Sequence, residues 1–211
     1  ERKSRLINPK ERKIIAYHEA GHAVVINALP EGDPVQKVSI ISRGMMGGFT
    51  RALPTEDRSL ESRKKLISDM VGLLGGRAAE EIMFNDITSG ASSDIEQVTK
   101  LARSMVTRLG MSDKLGPMVY GQKEELIFLG REISEQRDYS EAVAQEIDRE
   151  VQRAVSEAYQ SAKAILETYK DKLIAVAEKL LEVETITKEE FEAIFPPPVE
   201  KNQGIPVIFP A

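Results

Sequence analysis

Residues 8–30 read NPKERKIIAYHEAGHAVVINALP, and this stretch decides how the rest of the chain is interpreted. Asn8 is a good helix cap, a proline suits the first helical position after it, and Pro30 ends the helix at the residue before it. Apolar side chains recur at helical spacing, and His18 and His22 lie in the same stripe. The stretch predicts one amphipathic helix that carries both histidines on its buried edge.

Residues 18–22 read HEAGH and match the H-E-x-x-H motif. Residues four apart lie on one helical face, so the imidazoles of His18 and His22 can converge on one tetrahedral Zn²⁺. Glu19 lies beside them, where it can take a proton from a zinc-activated water and return it to a leaving amine. The motif predicts one Zn²⁺ per chain, and Glu19 as the base in hydrolysis of a peptide bond.

The same residues also permit a purely structural interpretation. In that interpretation His18 and His22 are residues at the core edge that hydrogen-bond to their neighbours, and Glu19 is a solvated charge. The motif uses both histidines of the chain. A lone histidine would favour the structural interpretation, whereas a pair on one helical face favours the metal site.

A catalytic zinc site typically has three protein ligands and one open position. The chain has no cysteine and no further histidine, so the third ligand must be an aspartate or a glutamate. Asp94 is the best candidate, because it opens a predicted helix whose N-terminus keeps a carboxylate ionised. The alternative for Asp94 is a simple first-turn charge. Glu80 and Glu81 are its rivals, each as a ligand, as an acceptor for a histidine N–H or as a surface charge.

The remaining pattern predicts a mainly α fold, a multi-helix domain with a small β-ribbon. Aromatic residues make up only 5% of the chain, which favours a helical core over a β-sandwich. The third helix is predicted to begin with a capping box at Ser93 and to turn Ile95 and Leu109 inward. The predicted elements are strands at 35–41 and 47–50, helices at about 59–84, 93–109, 139–169 and 173–180, and a last short helix from 187.

Glycines in the helix predicted at about 59–84 weaken it intrinsically. We expect Gly72, Gly75 and Gly76 to be there because a neighbouring backbone approaches closely. Residues 1–195 are expected to form one zinc peptidase domain, and residues 196–211, which begin with three prolines, a flexible tail.

Composition excludes several other kinds of protein. The net charge is −5 and basic residues form no stripe, so nucleic acid is not an expected partner. The absence of cysteine excludes disulfides and thiolate-bound zinc. No apolar run approaches the length of about 20 residues that crosses a membrane. The chain does not start with Met, so we expect a fragment of a longer protein.

Three motifs together resemble the peptidase domain of the FtsH family, the membrane-anchored AAA+ zinc proteases of bacteria, mitochondria and chloroplasts. They are HEAGH at 18–22, LGGRAAEE at 74–81 and SGASSD at 89–94. Their order and spacing fit the family, and the resemblance covers most of residues 8–195. It agrees with the argument that the third ligand is a carboxylate.

The resemblance implies a role for individual residues. His18, His22 and Asp94 would ligate the zinc, Glu19 would be the catalytic base, and Glu80 would support one of the ligands. An adjoining segment would form a strand edge beside the site, where an extended substrate pairs through backbone hydrogen bonds. That segment consists of Met45, Met46, Gly47, Gly48, Phe49 and Thr50.

The resemblance also implies an assembly. The full-length protein would form a homo-hexameric ring under an ATPase ring, at the cytoplasmic face of the bacterial inner membrane, and would degrade unfolded or membrane polypeptides. The 211 residues contain no G-x-x-x-x-G-K-[ST] loop, so ATP would act only through an ATPase domain outside them, and membrane spans would also lie outside. We expect the fragment itself to be soluble and to cleave only flexible polypeptide, and weakly.

A second hypothesis, from a different class, is a non-catalytic helical oligomerisation module. The long amphipathic segment at 139–169 would then serve ring formation or partner docking, although an ordinary core position explains the same stripe. Zinc binding separates the two hypotheses, because the module has no need of a metal.

Overall fold

The computed structural model describes residues 8–41, 47–54, 59–123, 135–136 and 138–197. Six α-helices and a small antiparallel sheet form in this part of the chain, which confirms the predicted class. In chain order the elements are α1 (Pro9–Ala28), β1 (Val35–Ser39), β2 (Phe49–Ala52), α2 (Arg63–Phe84), α3 (Ser92–Thr107), β3 (Gln122–Lys123), β4 (Glu135–Gln136), α4 (Glu141–Thr168), α5 (Lys170–Val183), β5 (Thr185–Thr187) and α6 (Lys188–Ile194).

Helix α1 begins where the sequence predicts. The Asn8 side chain accepts a hydrogen bond of 3.0 Å from the backbone N–H of Lys10, and proline occupies the first turn. The helix is more deeply buried than an amphipathic surface helix, because every residue from 16 to 25 is buried. Helix α1 therefore lies at the centre of the domain, and both histidines are enclosed by other elements.

Helices α1 and α2 approach each other through a pair of glycines. A Cβ on Gly21 would lie 2.5 Å from the backbone oxygen of Gly75, and a Cβ on Gly75 would lie 2.7 Å from the backbone oxygen of Gly21. Side chains at these positions would force the helices apart. The expectation of close backbone approach is confirmed at Gly75, and the contact brings α2 against the face of α1 that carries the histidines.

The three-stranded sheet has the order β2-β1-β5, with antiparallel pairing throughout. Val38 of β1 lies opposite Thr50 of β2 on one side and Ile186 of β5 on the other. Strand β5 is absent from the sequence prediction, since three residues are too few to show an alternating pattern. Strand β2 is the edge strand of this sheet on the side of the α1 histidines.

The start of α3 differs from the prediction. A 3₁₀ turn at Ser89–Ala91 runs directly into the helix, and no side chain caps its first turn, so the predicted capping box at Ser93 is wrong. Ile95 and Leu109 are also not inward-facing, with exposures of 37% and 49%. Ile95 is in the first turn, and Leu109 lies beyond the last residue of the helix.

The apolar stripe of helix α4 packs against other helices of the same chain. Ala144, Ile147, Val151, Ala158 and Ile165 are all buried, against α2 and the helices beside it. Ordinary core packing therefore accounts for the stripe at 139–169, and nothing in it favours the oligomerisation module.

Two further expectations concern membrane-spanning helices and the C-terminal tail. Among the described residues, every helix is too short or too polar to cross a lipid bilayer. Of the tail predicted at 196–211, residues 198–211 lie outside the described part.

Candidate metal centre

Three side chains from two helices meet at one point beside α2. The Nε2 atoms of His18 and His22, both on α1, are 3.1 Å apart. Oδ2 of Asp94, in the first turn of α3, lies 3.3 Å from Nε2 of His18 and 3.5 Å from Nε2 of His22. Each residue thus offers one ligand atom to a shared position that could hold a metal ion.

The separations of these three atoms fit a small tetrahedral cation. Zn²⁺ bound at about 2.0–2.2 Å with tetrahedral angles sets its ligand atoms about 3.3–3.6 Å apart. The observed separations of 3.1, 3.3 and 3.5 Å lie close to that range. Two imidazoles and one carboxylate are also a ligand set that zinc accepts at catalytic sites.

The other ring nitrogen of each histidine determines its tautomer. Nδ1 of His18 lies 2.7 Å from Oε1 of Glu80, and Nδ1 of His22 lies 2.8 Å from the backbone oxygen of Gly72. An ionised carboxylate and a carbonyl oxygen only accept hydrogen bonds, so both Nδ1 atoms donate. In the neutral rings the Nε2 lone pairs are then left free, and both point at the shared position.

Three atoms that each turn a lone pair toward the same position repel one another unless a cation, either a proton or a metal ion, lies between them. In the metal-free protein that cation is a proton on His18. Burial lowers the pKa of His18, but its hydrogen bonds to Asp94 and Glu80 outweigh this effect and raise the pKa to about 9. Burial alone would raise the pKa of Asp94, yet its bonds to His18 and His22 hold it well below its usual range. A metal ion would replace this proton.

Of the three carboxylates weighed as third ligand, only Asp94 reaches the shared position. Glu80 is 1% exposed and lies behind His18, where its second oxygen accepts a 2.7 Å hydrogen bond from the backbone N–H of Thr88. Burial would raise the pKa of Glu80, but its bonds to His18 and Thr88 lower it, so it is ionised. Glu81 is turned away and bonds Tyr159 and Lys163.

Gly76 contributes to the site in a way that the sequence analysis missed. A Cβ at this position would lie 2.5 Å from Nε2 of His18 and 2.6 Å from Nε2 of His22. The prediction of a close backbone contact is therefore wrong for Gly76, which faces the two imidazole rings. It is also wrong for Gly72, where a Cβ would meet the Ile26 side chain and no neighbouring backbone. A signal was available, because Gly76 is four residues before Glu80 and shares its helix face.

We expect Gly76→Ala to lower zinc affinity by more than about 100-fold, beyond the usual effect of changing a residue behind a ligand. The methyl group would occupy the space between the two Nε2 atoms, while alanine itself favours a helix by about 1 kcal/mol. Isothermal titration of the metal-free variant with Zn²⁺ measures the change. Circular dichroism of the metal-free variant checks that it still folds; a folded Gly76→Ala variant that binds zinc as tightly as the wild type would contradict the placement of this glycine against the imidazole rings.

Glu19 lies beside the metal position and is 6% exposed. Burial raises the pKa of Glu19, and the histidines and the Thr50 hydroxyl limit the rise. The Thr50 hydroxyl lies 2.8 Å from Oε2 of Glu19 and 3.0 Å from the backbone oxygen of the same residue. A carboxylate with a raised pKa in this place is suited to exchanging protons with a water molecule.

An open cleft contains the metal position, Glu19 and part of strand β2. Gly47, Gly48, Phe49 and Thr50 line it, as does Leu73 of α2. The structure thus brings four of the six residues of the predicted substrate segment to the cleft. The other two, Met45 and Met46, lie outside the described residues.

An H-E-x-x-H helix whose two histidines converge with one carboxylate defines a class, the metal-dependent peptide hydrolases. Comparison with known sequences agrees, since a profile of peptidase family M41 matches residues 5–194. The chain belongs to peptidase family M41. The predicted resemblance and the prediction of a peptide hydrolase are confirmed by this match and by the relatives described next.

Several curated relatives are similar along the whole chain. The ATP-dependent zinc metalloprotease FtsH 1 of Thermomicrobium roseum is 52% identical over 213 aligned residues, which cover 100% of this chain and 33% of the relative. FtsH of Kosmotoga olearia is 53% identical over 92% of this chain and 30% of its own length. FtsH of Thermotoga maritima is 52% identical over 95% of this chain and 33% of its own length. The chain therefore spans about a third of the length of these relatives.

Proposed function

We propose that this chain is the zinc peptidase domain of an ATP-dependent, membrane-anchored protease, and that it hydrolyses peptide bonds in unfolded or membrane polypeptides. One observation carries the proposal: Nε2 of His18, Nε2 of His22 and Oδ2 of Asp94 converge, with separations of 3.1, 3.3 and 3.5 Å, on a position that could hold a metal ion. The names of the relatives, which include zinc and ATP dependence, support the choice of metal and the wider assembly.

The metal would be held by His18, His22 and Asp94, one Zn²⁺ per chain. Bound there, Zn²⁺ supplies Lewis acidity, which acidifies water and polarises a carbonyl oxygen. Glu80 and the backbone oxygen of Gly72 fix the two rings, since each accepts the proton of an Nδ1 atom. This support holds the Nε2 lone pairs in place before the metal arrives.

Glu19 would be the catalytic base. Its carboxylate takes a proton from the attacking water as the new C–O bond forms, and gives that proton to the amine nitrogen as the peptide C–N bond breaks. The raised pKa of Glu19, caused by burial, suits a group that must both accept and release a proton. Glu19 returns to the carboxylate form at the end of each turnover, so the proton balance closes.

An extended polypeptide would bind along strand β2. This edge strand, with Gly47, Gly48, Phe49 and Thr50 on the cleft, offers a backbone template beside the metal position. Pairing with a strand edge requires a locally extended substrate, so folded proteins should resist. In the full-length protein we propose a homo-hexamer fed by its ATPase domains at the cytoplasmic face of the bacterial inner membrane.

The test of this function is hydrolysis of casein, an unfolded substrate, by the purified chain. We expect slow cleavage without ATP, complete loss after the metal is removed with 1,10-phenanthroline, and recovery when one equivalent of Zn²⁺ is added back. The rate of appearance of new amino termini measures each step. Cleavage that survives a metal content below a tenth of an equivalent would contradict the zinc mechanism.

A tightly folded protein in the same assay tests the substrate class. Without an ATPase domain we expect no cleavage of it, because the strand edge cannot pair with a folded chain. Equal cleavage of casein and the folded protein would contradict the proposal that substrates bind as extended strands. A chain that stays metal-free in excess Zn²⁺ and cleaves neither would return the non-catalytic module to consideration.

A further inference from the structure

The hydroxyl of Thr50 makes contacts that the proposed function has not used. Its oxygen lies 2.8 Å from Oε2 of Glu19 and 3.0 Å from the backbone oxygen of Glu19. Substrate pairing along β2 would use only backbone groups of that strand. The side chain of Thr50 is instead directed at the residue proposed as catalytic base, which is 31 positions earlier in the chain.

A threonine hydroxyl has one proton to donate and lone pairs to accept with. When Glu19 is a carboxylate, the hydroxyl can donate to Oε2. When Glu19 carries the proton taken from water, its O–H can donate to Thr50 Oγ1, and the Thr50 proton can turn to the backbone oxygen of Glu19. The pair of contacts therefore leaves Glu19 with a partner at Thr50 both before and after it accepts the proton.

A side chain at a second residue close to β2 would collide with the other oxygen of Glu19. A Cβ on Gly48 would lie 2.8 Å from Oε1 of Glu19 and 2.8 Å from the backbone oxygen of Ser39. A glycine at this position therefore leaves room for the Glu19 carboxylate where it lies. A glutamate side chain has several rotatable bonds, and the hydrogen bond from the Thr50 hydroxyl restricts where its carboxylate can lie.

We propose that Thr50 is a positioning residue for the base: its hydroxyl holds the Glu19 carboxylate toward the cleft throughout the proton transfer. This inference rests on the proposed function, because it needs Glu19 to act as the base. It assigns to Thr50 a task separate from substrate binding. The strand that would receive the substrate also orients the group that moves the proton.

The test compares Thr50→Val, which keeps the β-branched shape and removes the hydroxyl, with Thr50→Ser, which keeps the hydroxyl. For casein hydrolysis by the zinc-loaded chain we expect Thr50→Val to lower kcat about 10- to 100-fold, the effect of losing one hydrogen bond to a charged group. KM and zinc content should stay within about twofold of wild type, because the variant keeps the backbone of β2, with which the substrate would pair, and all three ligands. Thr50→Ser should restore most of kcat.

Two controls separate this role from a structural one. Thr168→Val removes a comparable hydroxyl-to-backbone hydrogen bond on the exposed end of α4 and should leave kcat unchanged. Thr50→Ala leaves an empty space where valine places a methyl group, and it should show the same fall in kcat. Its zinc content serves as the check on folding. Both valine variants are compared at equal zinc loading.

The outcomes are distinct. A wild-type kcat in Thr50→Val, a loss confined to KM, or a Thr50→Ser variant as slow as Thr50→Val would overturn the positioning role while zinc-dependent cleavage by the wild type stands. Wild-type cleavage that does not depend on zinc would instead overturn the proposed function, whatever the Thr50 variants do.

Discussion

Replacing Glu19 by glutamine is expected to lower kcat for casein hydrolysis by about 10²- to 10⁴-fold while one Zn²⁺ per chain stays bound. Glutamine has nearly the same shape and can still receive the Thr50 hydroxyl hydrogen bond at its amide oxygen, which is 2.8 Å away at Oε2 in the wild type. It cannot take a proton from water. The three proposed ligands are unchanged, so the defect is confined to the chemical step.

The comparison needs metal content and activity from the same preparation. Glu167→Gln, on the exposed face of α4, makes the same chemical change away from the cleft and should keep full activity. Glu19→Gln protein that holds zinc and still turns over at the wild-type rate would remove Glu19 from the role of base. Loss of zinc together with activity would mean that Glu19 holds the metal instead.

Asp94→Asn is expected to weaken zinc binding by more than about 100-fold, and Glu80→Gln by only about tenfold. Asparagine removes the one negative charge at the shared position, where Oδ2 of Asp94 faces both Nε2 atoms. A glutamine at 80 can still accept from Nδ1 of His18, although its amide group would meet the Thr88 N–H, which now donates to the carboxylate. Competition with a chromophoric zinc chelator measures both dissociation constants.

The order of these two affinities identifies the third ligand. A larger loss in Glu80→Gln than in Asp94→Asn would assign the ligand to Glu80 and would require His18 to turn its ring over. Circular dichroism of both metal-free variants guards against a general folding defect, because Asp94 also lies in the first turn of α3, where a negative charge stabilises the helix.

The local part of the site could be predicted from sequence because it depends on one helix. The cap at Asn8, the stop before Pro30 and the four-residue spacing of His18 and His22 are all properties of a continuous segment. Elimination by composition then pointed to a carboxylate as third ligand. The choice of Asp94 over Glu80 and Glu81 needed either the family resemblance or the structure, since it depends on how α2 and α3 pack against α1.

Contacts between distant segments account for what the sequence did not reveal. Gly76 looked like a packing glycine, and only the approach of α2 to the imidazole rings gives it a place beside the metal position. Thr50 looked like part of a strand, and its bond to Glu19 depends on how the sheet lies against α1. Strand β5 forms because β1 offers it an edge, and its three residues carry no pattern of their own.

Anomalous diffraction at the zinc edge, from crystals grown with one equivalent of Zn²⁺, would locate the metal itself. We expect one peak per chain, at about 2.0–2.2 Å from Nε2 of His18, Nε2 of His22 and a carboxylate oxygen of Asp94. A peak elsewhere, or two imidazole rings directed at different surroundings with no anomalous density between them, would contradict this expectation.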